Sequence, residues 1–306
     1  MSVPEEIEAA DIAARAIAAA ADNIEVRIER IQSVTWTPYP QALRILDRLE
    51  ELFHHPRVER MPNLAIIGHT NNGKSTLLRR FVRAHTPPDD PNAEQTTLPV
   101  LCVDVPSEPD ERRLYNSILE PLFSMGPKSE GIDLMLSRLC TILSRLETRM
   151  LVLDEFSNAL AGTSRKQRTF LNALKNLGNR LRIPIVISGL PESLSALNSD
   201  PQLSNRFKPM HLPPWHSDKA EYARLLLSLE KHLGLRKPCD FKRVRVVNSL
   251  LDATDGLLGE TVELLRILAI DAIHSERESI GLEEVQSESL ARLGWVSPRD
   301  RPRHYG

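Results

Sequence analysis

Apolar residues change their spacing twice along this chain. Up to about residue 57 they recur every three or four positions, the period of a helix with one buried face. Residues 7–21 form an Ala-rich run with acids near its start, and residues 24–31 continue in the same spacing. After the break Trp36-Thr37-Pro38-Tyr39-Pro40, residues 42–53 set Leu43, Ile45, Leu46, Leu49 and Leu52 on one side of a further helix. From Arg60 onward, short continuous apolar runs alternate with helical stretches. The runs at 64–67, 98–105, 149–154 and 183–187 predict strands buried on both faces, with a short fifth at 207–212. Helices are predicted at 75–84, 109–123, 132–147 and 165–181. Such alternation specifies an α/β fold, a parallel sheet covered by helices. After Pro213-Pro214 only helical spacing remains, at 218–233, 241–254, 258–274 and 282–293. The expected organisation is therefore an N-terminal helical segment (1–57), an α/β core (58–213), a helical lid (214–295) and a Pro- and Arg-rich tail (296–306).

The first strand of the core runs into Gly68-His69-Thr70-Asn71-Asn72-Gly73-Lys74-Ser75, and Thr76 opens the helix that follows. Strand, glycine-framed loop and helix N-terminus together make an anion site, a P-loop. Backbone N–H groups of Asn71 to Ser75 can point into the loop, and Gly68 and Gly73 allow dihedrals that a Cβ would penalise. Lys74 is placed to reach the β- and γ-phosphates of ATP, and the Ser75 hydroxyl to ligate Mg²⁺. A solvated turn with an exposed lysine could carry the same letters; the flanking strand and helix argue against it. Downstream, Met150-Leu151-Val152-Leu153 ends in Asp154-Glu155. Asp154 at the carboxyl end of a buried strand would hold Mg²⁺ through water, and Glu155 would polarise the attacking water of an ATPase. Two acids ending a strand mean little alone; paired with the upstream loop they complete a nucleotide site.

Composition changes this picture in a few places only. The chain has 306 residues, 41% hydrophobic and 26% charged, ordinary for a soluble globular protein. No apolar stretch approaches a membrane span, and acids precede the first Arg, the wrong order for a secretory signal. Cys102, Cys140 and Cys239 are isolated and odd in number, which fits small packed thiols in a reducing, cytoplasmic setting. Net charge is −2, so bulk charge does not announce a nucleic-acid partner. Of 39 cationic residues, 30 are Arg, suited to bidentate phosphate contacts, although a coding bias toward GC would give the same excess.

A P-loop core followed by a helical lid at a Pro-Pro hinge resembles the AAA+ ATPases. The resemblance implies that Ser188, at the end of the fourth strand, senses the γ-phosphate. It implies that Arg206, in Gln202-Leu203-Ser204-Asn205-Arg206-Phe207, acts in trans on a neighbouring subunit's nucleotide. In the lid, Thr254-Asp255-Gly256-Leu257-Leu258-Gly259-Glu260 stands where many relatives carry an Arg after the second Gly; here it is Glu260, and Arg266 is the nearest alternative cation. The loop with its Asn71-Asn72 pair, the upstream Trp36-Thr37-Pro38-Tyr39, the approach from Arg57 to Arg60, Val103-Asp104-Val105-Pro106 and the 203–207 and 254–259 stretches are similar to the TniB and TnsC transposition regulators, TniB more closely. That implies an ATP-dependent protein that forms rings or filaments of identical subunits on double-stranded DNA, with little sequence preference. Its implied partners are a transposase and a TniQ-like targeting protein, and no membrane. Arg112, Arg113, Lys128 and Ser129 are the candidate DNA contacts, with 165–168 a second basic cluster. Two other readings stay open: an IstB-like or helicase-loader ATPase, and a nucleotide-gated scaffold with little turnover. A substrate-threading unfoldase lacks its aromatic pore loop, since Ser124-Met125-Gly126 has no aromatic.

Overall fold

The protein is described by a computed structural model covering residues 23–33, 36–88, 95–215 and 219–301; the helix expected at 7–21, Asp218 and the tail beyond 301 lie outside the described residues. Its chain forms two contact units, residues 40–213 and residues 1–39 together with 214–306. The expected 1–57 segment is thus divided: α1 (Ile24–Gln32) belongs with the C-terminal helices, and α2 (Pro40–Phe53) with the α/β core.

In the core, β1 (Asn63–Gly68), α3 (Lys74–Ala84), β2 (Val100–Asp104), α4 (Glu111–Leu119), α5 (Ile132–Arg145), β3 (Met150–Asp154), α6 (Ser164–Leu181), β4 (Ile185–Gly189), α7 (Pro191–Asn198), α8 (Pro201–Arg206) and β5 (Phe207–Leu212) follow in order. The five strands pair in parallel in the order β2-β3-β4-β1-β5. The three inner strands β1, β3 and β4 are buried along their whole length, as continuous apolar runs require. Alternate residues face opposite sides. Ala65, Ile67, Leu101, Val103, Leu151, Leu153, Ile185 and Ile187 enter one cluster with Leu114, Ile118, Leu139, Phe170 and Leu174 of α4, α5 and α6.

The fourth strand begins two residues later than its apolar run suggests. Pro184 has no N–H for the ladder, though its carbonyl accepts from Leu151 N–H at 3.1 Å. The strand ends in Ser188 and Gly189, as the sequence predicts. The two short helices α7 and α8 are absent from the sequence expectation. Each has proline in its first turn, and Asp200 caps α8 by accepting from Gln202 N–H at 2.8 Å and Leu203 N–H at 3.3 Å.

The other unit contains α1, α9 (Lys219–Glu230), α10 (Val244–Thr254), α11 (Leu258–His274) and α12 (Ser287–Arg292). Its first helix is fastened by one buried side chain. Arg27, 2% exposed, donates through Nη1 and Nη2 to the Glu278 carboxylate at 2.9 and 2.5 Å, and through Nε and Nη2 to the Gly234 carbonyl at 3.1 and 2.7 Å. Burial pushes the Glu278 carboxyl up, but hydrogen bonds from Arg27 and the Arg236 N–H, with both guanidinium charges, outweigh it and hold the group below the usual range. After α1, Tyr39 meets Trp215 edge-on at 5.2 Å, and Trp215 lies 6.1 Å from Tyr222. The Trp-x-x-Tyr signature is therefore a packing element of this unit. Burial raises the Tyr39 hydroxyl to about 12.

Candidate functional site

The glycine-framed loop stands where the sequence places it, between the carboxyl end of β1 and the start of α3. Gly73 caps α3 at φ 85°, and Asn71 also has positive φ, at 57°. A Cβ on Gly68 would sit 2.9 Å from the Leu212 carbonyl oxygen, so only glycine lets β1 and β5 run this close. Asn72 is buried, at 3% exposure, and its Nδ2 donates to Leu212 O at 2.7 Å and Pro213 O at 3.2 Å. Its side chain thus ties the loop to the end of β5. The sequence reading had used only its backbone.

Residues Thr70 to Thr76 line a cavity of about 200 Å³ together with Arg79, Glu155, Gly189 and Leu190. The Lys74 ammonium donates to Gly68 O and His69 O, both at 2.8 Å. Burial lowers its pKa, and the charges of Glu155 and Asp154 oppose that shift, so both acids act on the lysine across the site. Asp154 is buried, at 6%, and its Oδ1 accepts from Glu155 N–H at 2.9 Å. Glu155 is exposed and adopts a left-handed φ of 53°, which turns the chain sharply as it leaves the strand. Beside this cavity the Cys102 thiol is pushed up to about 12, first by burial and then by Asp154 and Asp104.

The register that pairs Leu153 with Ile187, and Ile66 with Ser188, sets Asp154, Ser188 and Ile66 side by side on one sheet face. Ser188 is fully buried and its Oγ has no hydrogen-bond partner. A buried hydroxyl costs free energy unless water or a ligand pairs with it; Ser188 does not itself line the cavity, although Gly189 after it does. The donor set also fits a small hard cation: Ser75 and Thr76 line the cavity with hydroxyls and Glu155 with a carboxylate, and the buried Asp154 ends the adjoining strand. Among the described residues no three His, Cys, Asp or Glu side chains gather into a metal site.

Arg206 lies at the other end of the sheet. It ends α8 immediately before Phe207, which pairs with Asn63 at the start of β1, whereas Gly68 at the end of β1 pairs with Leu212. Five residues of strand separate the two ends, about 17 Å at 3.3 Å per residue. Arg206 Nη1 donates to Asn179 Oδ1 at 2.7 Å.

The first turn of α4 and the loop between α4 and α5 carry the remaining candidates. Arg112 Nη2 donates to Glu130 O at 2.7 Å, and Arg113 pairs with Glu108 at 3.3 Å. Arg138 grips the Glu130 carboxylate at 2.6 Å and also donates to Ser124 O; its hydrogen bonds hold that carboxyl below the usual range. Lys128 and Ser129 are exposed, as are Phe123 (97%) and Met125 (54%).

In the helical unit Glu260 is buried and accepts from Arg301 at 2.9 and 2.5 Å, with the guanidinium 5.5 Å from the Trp295 ring centre. Arg266 donates to Ser33 O at 2.8 Å. Glu260, which stands in place of the family's Arg, and Arg266, the alternative cation, are thus both engaged within their own unit. Sequence reasoning missed Arg79, although its position one turn after Ser75 on α3 is readable, and it missed Arg301, whose pairing no local spacing announces.

A family model described as bacterial TniB protein matches residues 27–217. Among solved structures, the ORC2 protein of Aeropyrum pernix in ADPNP–ADP complexes is 16% identical with a TM-score of 0.57, over 85% of this chain and 70% of that one. The Aeropyrum pernix ORC1 protein in complex with DNA is 17% identical with a TM-score of 0.56, over 83% of this chain and 64% of that one. Cdc6p from Pyrobaculum aerophilum is 18% identical with a TM-score of 0.55, over 86% and 70%. At such identities the likeness is one of fold alone, a parallel sheet covered by helices. No curated protein matches the sequence.

Proposed function

From the premise that this chain belongs to the bacterial TniB family, we propose that it is an ATP-hydrolysing regulator of DNA transposition. It assembles as an oligomer on double-stranded DNA in the cytoplasm and there engages a transposase and a TniQ-like targeting protein. The observation that carries the nucleotide part is the convergence of Lys74, Ser75, Thr76, Arg79 and Glu155 on one small cavity at the carboxyl ends of the strands. No described helix is long and apolar enough to cross a membrane.

ATP binds with its phosphates against the backbone N–H groups of the loop and the N-terminus of α3, where the helix dipole favours anions. Lys74 turns its ammonium from the two carbonyls to the β- and γ-phosphates. Magnesium, held by Ser75 and through water by Asp154, would offset negative charge on the phosphate oxygens. Ser188 donates its unpaired hydroxyl toward the γ-phosphate, next to Asp154 in the sheet. Glu155 takes a proton from water as the water oxygen attacks the γ-phosphorus. The bond to the bridging oxygen breaks, and ADP leaves with its electron pair. Arg206 is a strand's length from its own loop and stabilises the transferred phosphoryl group of a neighbour. Arg112 on α4 holds the Glu130 backbone of the α4–α5 loop, which leaves Lys128 and Ser129, with Arg113 of α4, to meet DNA phosphates. Many such weak contacts add up only when nucleotide links the subunits.

Lys74→Ala tests this reading. Duplex binding that depends on ATP in the wild type, measured by fluorescence anisotropy, should disappear in the variant. Wild-type binding by the variant would remove nucleotide-driven assembly from the proposal.

A further inference from the structure

At the amino ends of β1 and β5 the core carries a second cavity, of about 530 Å³, lined by Arg48, Arg60, Gln202, Asn205, Arg206 and Lys208 and by no carboxylate. Arg48 is bonded to Glu51 at 2.6 Å, and Arg206 spends one N–H on the neutral Asn179. Among the described residues, neither Arg60 nor Lys208 has a hydrogen-bond or ion-pair partner. Three positive charges therefore converge without compensation. Arg206 and Lys208 sit on α8 and β5, and Arg60 in the turn that leads into β1. Lys208 belongs to β5 in register with Leu64 of β1, and Arg60 precedes Met61, which is 3% exposed and accepts from Val58 N–H. Exposed cations this close repel one another, so the arrangement suits an anion of several charges that the cavity can admit.

The protein's own nucleotide cannot be that anion, because the phosphate loop lies at the opposite end of β1. A head-to-tail contact between identical subunits brings those two ends together. We propose that Arg60 and Lys208, with Arg206, form a three-cation clamp that receives the phosphates of a nucleotide held by a second copy of this chain. The clamp extends the trans role given to Arg206 and rests on the proposed nucleotide-driven assembly. It makes assembly responsive to the charge of the neighbour's nucleotide, since ATP brings one more phosphate to the clamp than ADP.

The test uses full-length Arg60→Ala/Lys208→Ala, whose substituted side chains are exposed; thermal melting checks the fold, and Lys208→Arg serves as the conservative variant. Dilute double variant should bind a fluorescent ATP analogue within about twofold of wild type, because the affected site belongs to the neighbour. The concentration for half-assembly with ATP, by analytical ultracentrifugation, should rise about tenfold or more, and Lys208→Arg should stay near wild type. Mixing the double variant with Lys74→Ala should restore hydrolysis above that of either alone, because Lys74→Ala subunits present an intact clamp to a competent loop. Wild-type assembly by the double variant, or mixed oligomers without recovered hydrolysis, overturns the clamp. Loss of nucleotide-free duplex binding with ATP-driven assembly intact also overturns it, by identifying the phosphates as those of DNA. If Arg206→Ala is complemented by Lys74→Ala while the double variant behaves as wild type, the proposed function stands and the clamp falls. If wild type does not assemble with ATP, both fall.

Discussion

Replacing Arg27 by Met should unfasten α1 from the helical unit, at a cost that follows from the structure. The substitution leaves Glu278, whose side chain is 10% exposed, with only the Arg236 N–H at 3.2 Å and the Arg236 guanidinium at 3.9 Å. Removing one partner of a buried pair costs about 3–5 kcal/mol, because the remaining charge stays desolvated. The residual contact with Arg236 argues for the lower end, about 3 kcal/mol, and the two lost bonds to Gly234 O add about 1 kcal/mol. All three tryptophans, Trp36, Trp215 and Trp295, belong to this unit, so tryptophan fluorescence in urea follows its unfolding alone. With a slope of about 2 kcal/mol/M, the midpoint should fall by about 2 M at pH 7. The pH dependence has a definite sign. The folded Glu278 carboxyl titrates below its unfolded value, so the pair's stabilisation is complete above about pH 4.3 and is lost as pH falls through the folded value. The gap between wild type and variant should therefore close in acid. Arg27→Met/Glu278→Leu, which buries no charge, should recover most of the loss. A midpoint shift under about 0.3 M at pH 7, or a gap that does not change with pH, would refute this account of the fastening.

Glu155→Gln keeps the shape of the residue but not its basicity, so ATP should still bind while DNA-bound oligomers live longer; faster dissociation, seen in single-molecule or filter-binding decay, would remove Glu155 from the role of base. Arg206→Ala should lower hydrolysis per subunit by about 10²–10³-fold with nucleotide affinity of dilute protein nearly unchanged, and a fall in that affinity alone would place Arg206 outside a trans role. Asn72→Ala should lower thermal stability by about 1–3 kcal/mol and weaken nucleotide binding, because the loop loses its tether to Leu212 and Pro213; unchanged titrations with nucleotide would mean that the loop holds its shape without it.

The parts of this protein that were legible in its sequence are those written in local order. The octet from Gly68 to Ser75 states its own backbone geometry, and the apolar runs ending at Ile67 and Leu153 predict strands whose carboxyl ends carry the chemistry. What escaped depends on pairing across distance. Ser188 stands at the strand end where the sequence places it, but the full burial of its unpaired hydroxyl comes from neighbours that local order does not name. The fate of Glu260 was open because its partner Arg301 lies 41 residues away, and that of Arg266 because Ser33 lies on a segment 233 residues upstream. The 1–57 segment seemed uniform in spacing, yet its two described helices belong to different units; periodicity identifies a buried face without naming what buries it. Helices α7 and α8 were too short for a periodic signal, and only Pro191, Asp200 and Pro201 announce them.

The Arg27–Glu278 bond also sets a timetable for biosynthesis. Its partners are 251 residues apart, so at about 5–20 residues per second the ribosome delivers the glutamate roughly 13–50 s after the arginine. During that wait the nascent first helix has no docking site, while the whole α/β portion can emerge and fold. Arrival of Glu278 is what closes the other half, and a message truncated upstream of the Glu278 codon would yield a folded α/β portion trailing an unclosed leading helix.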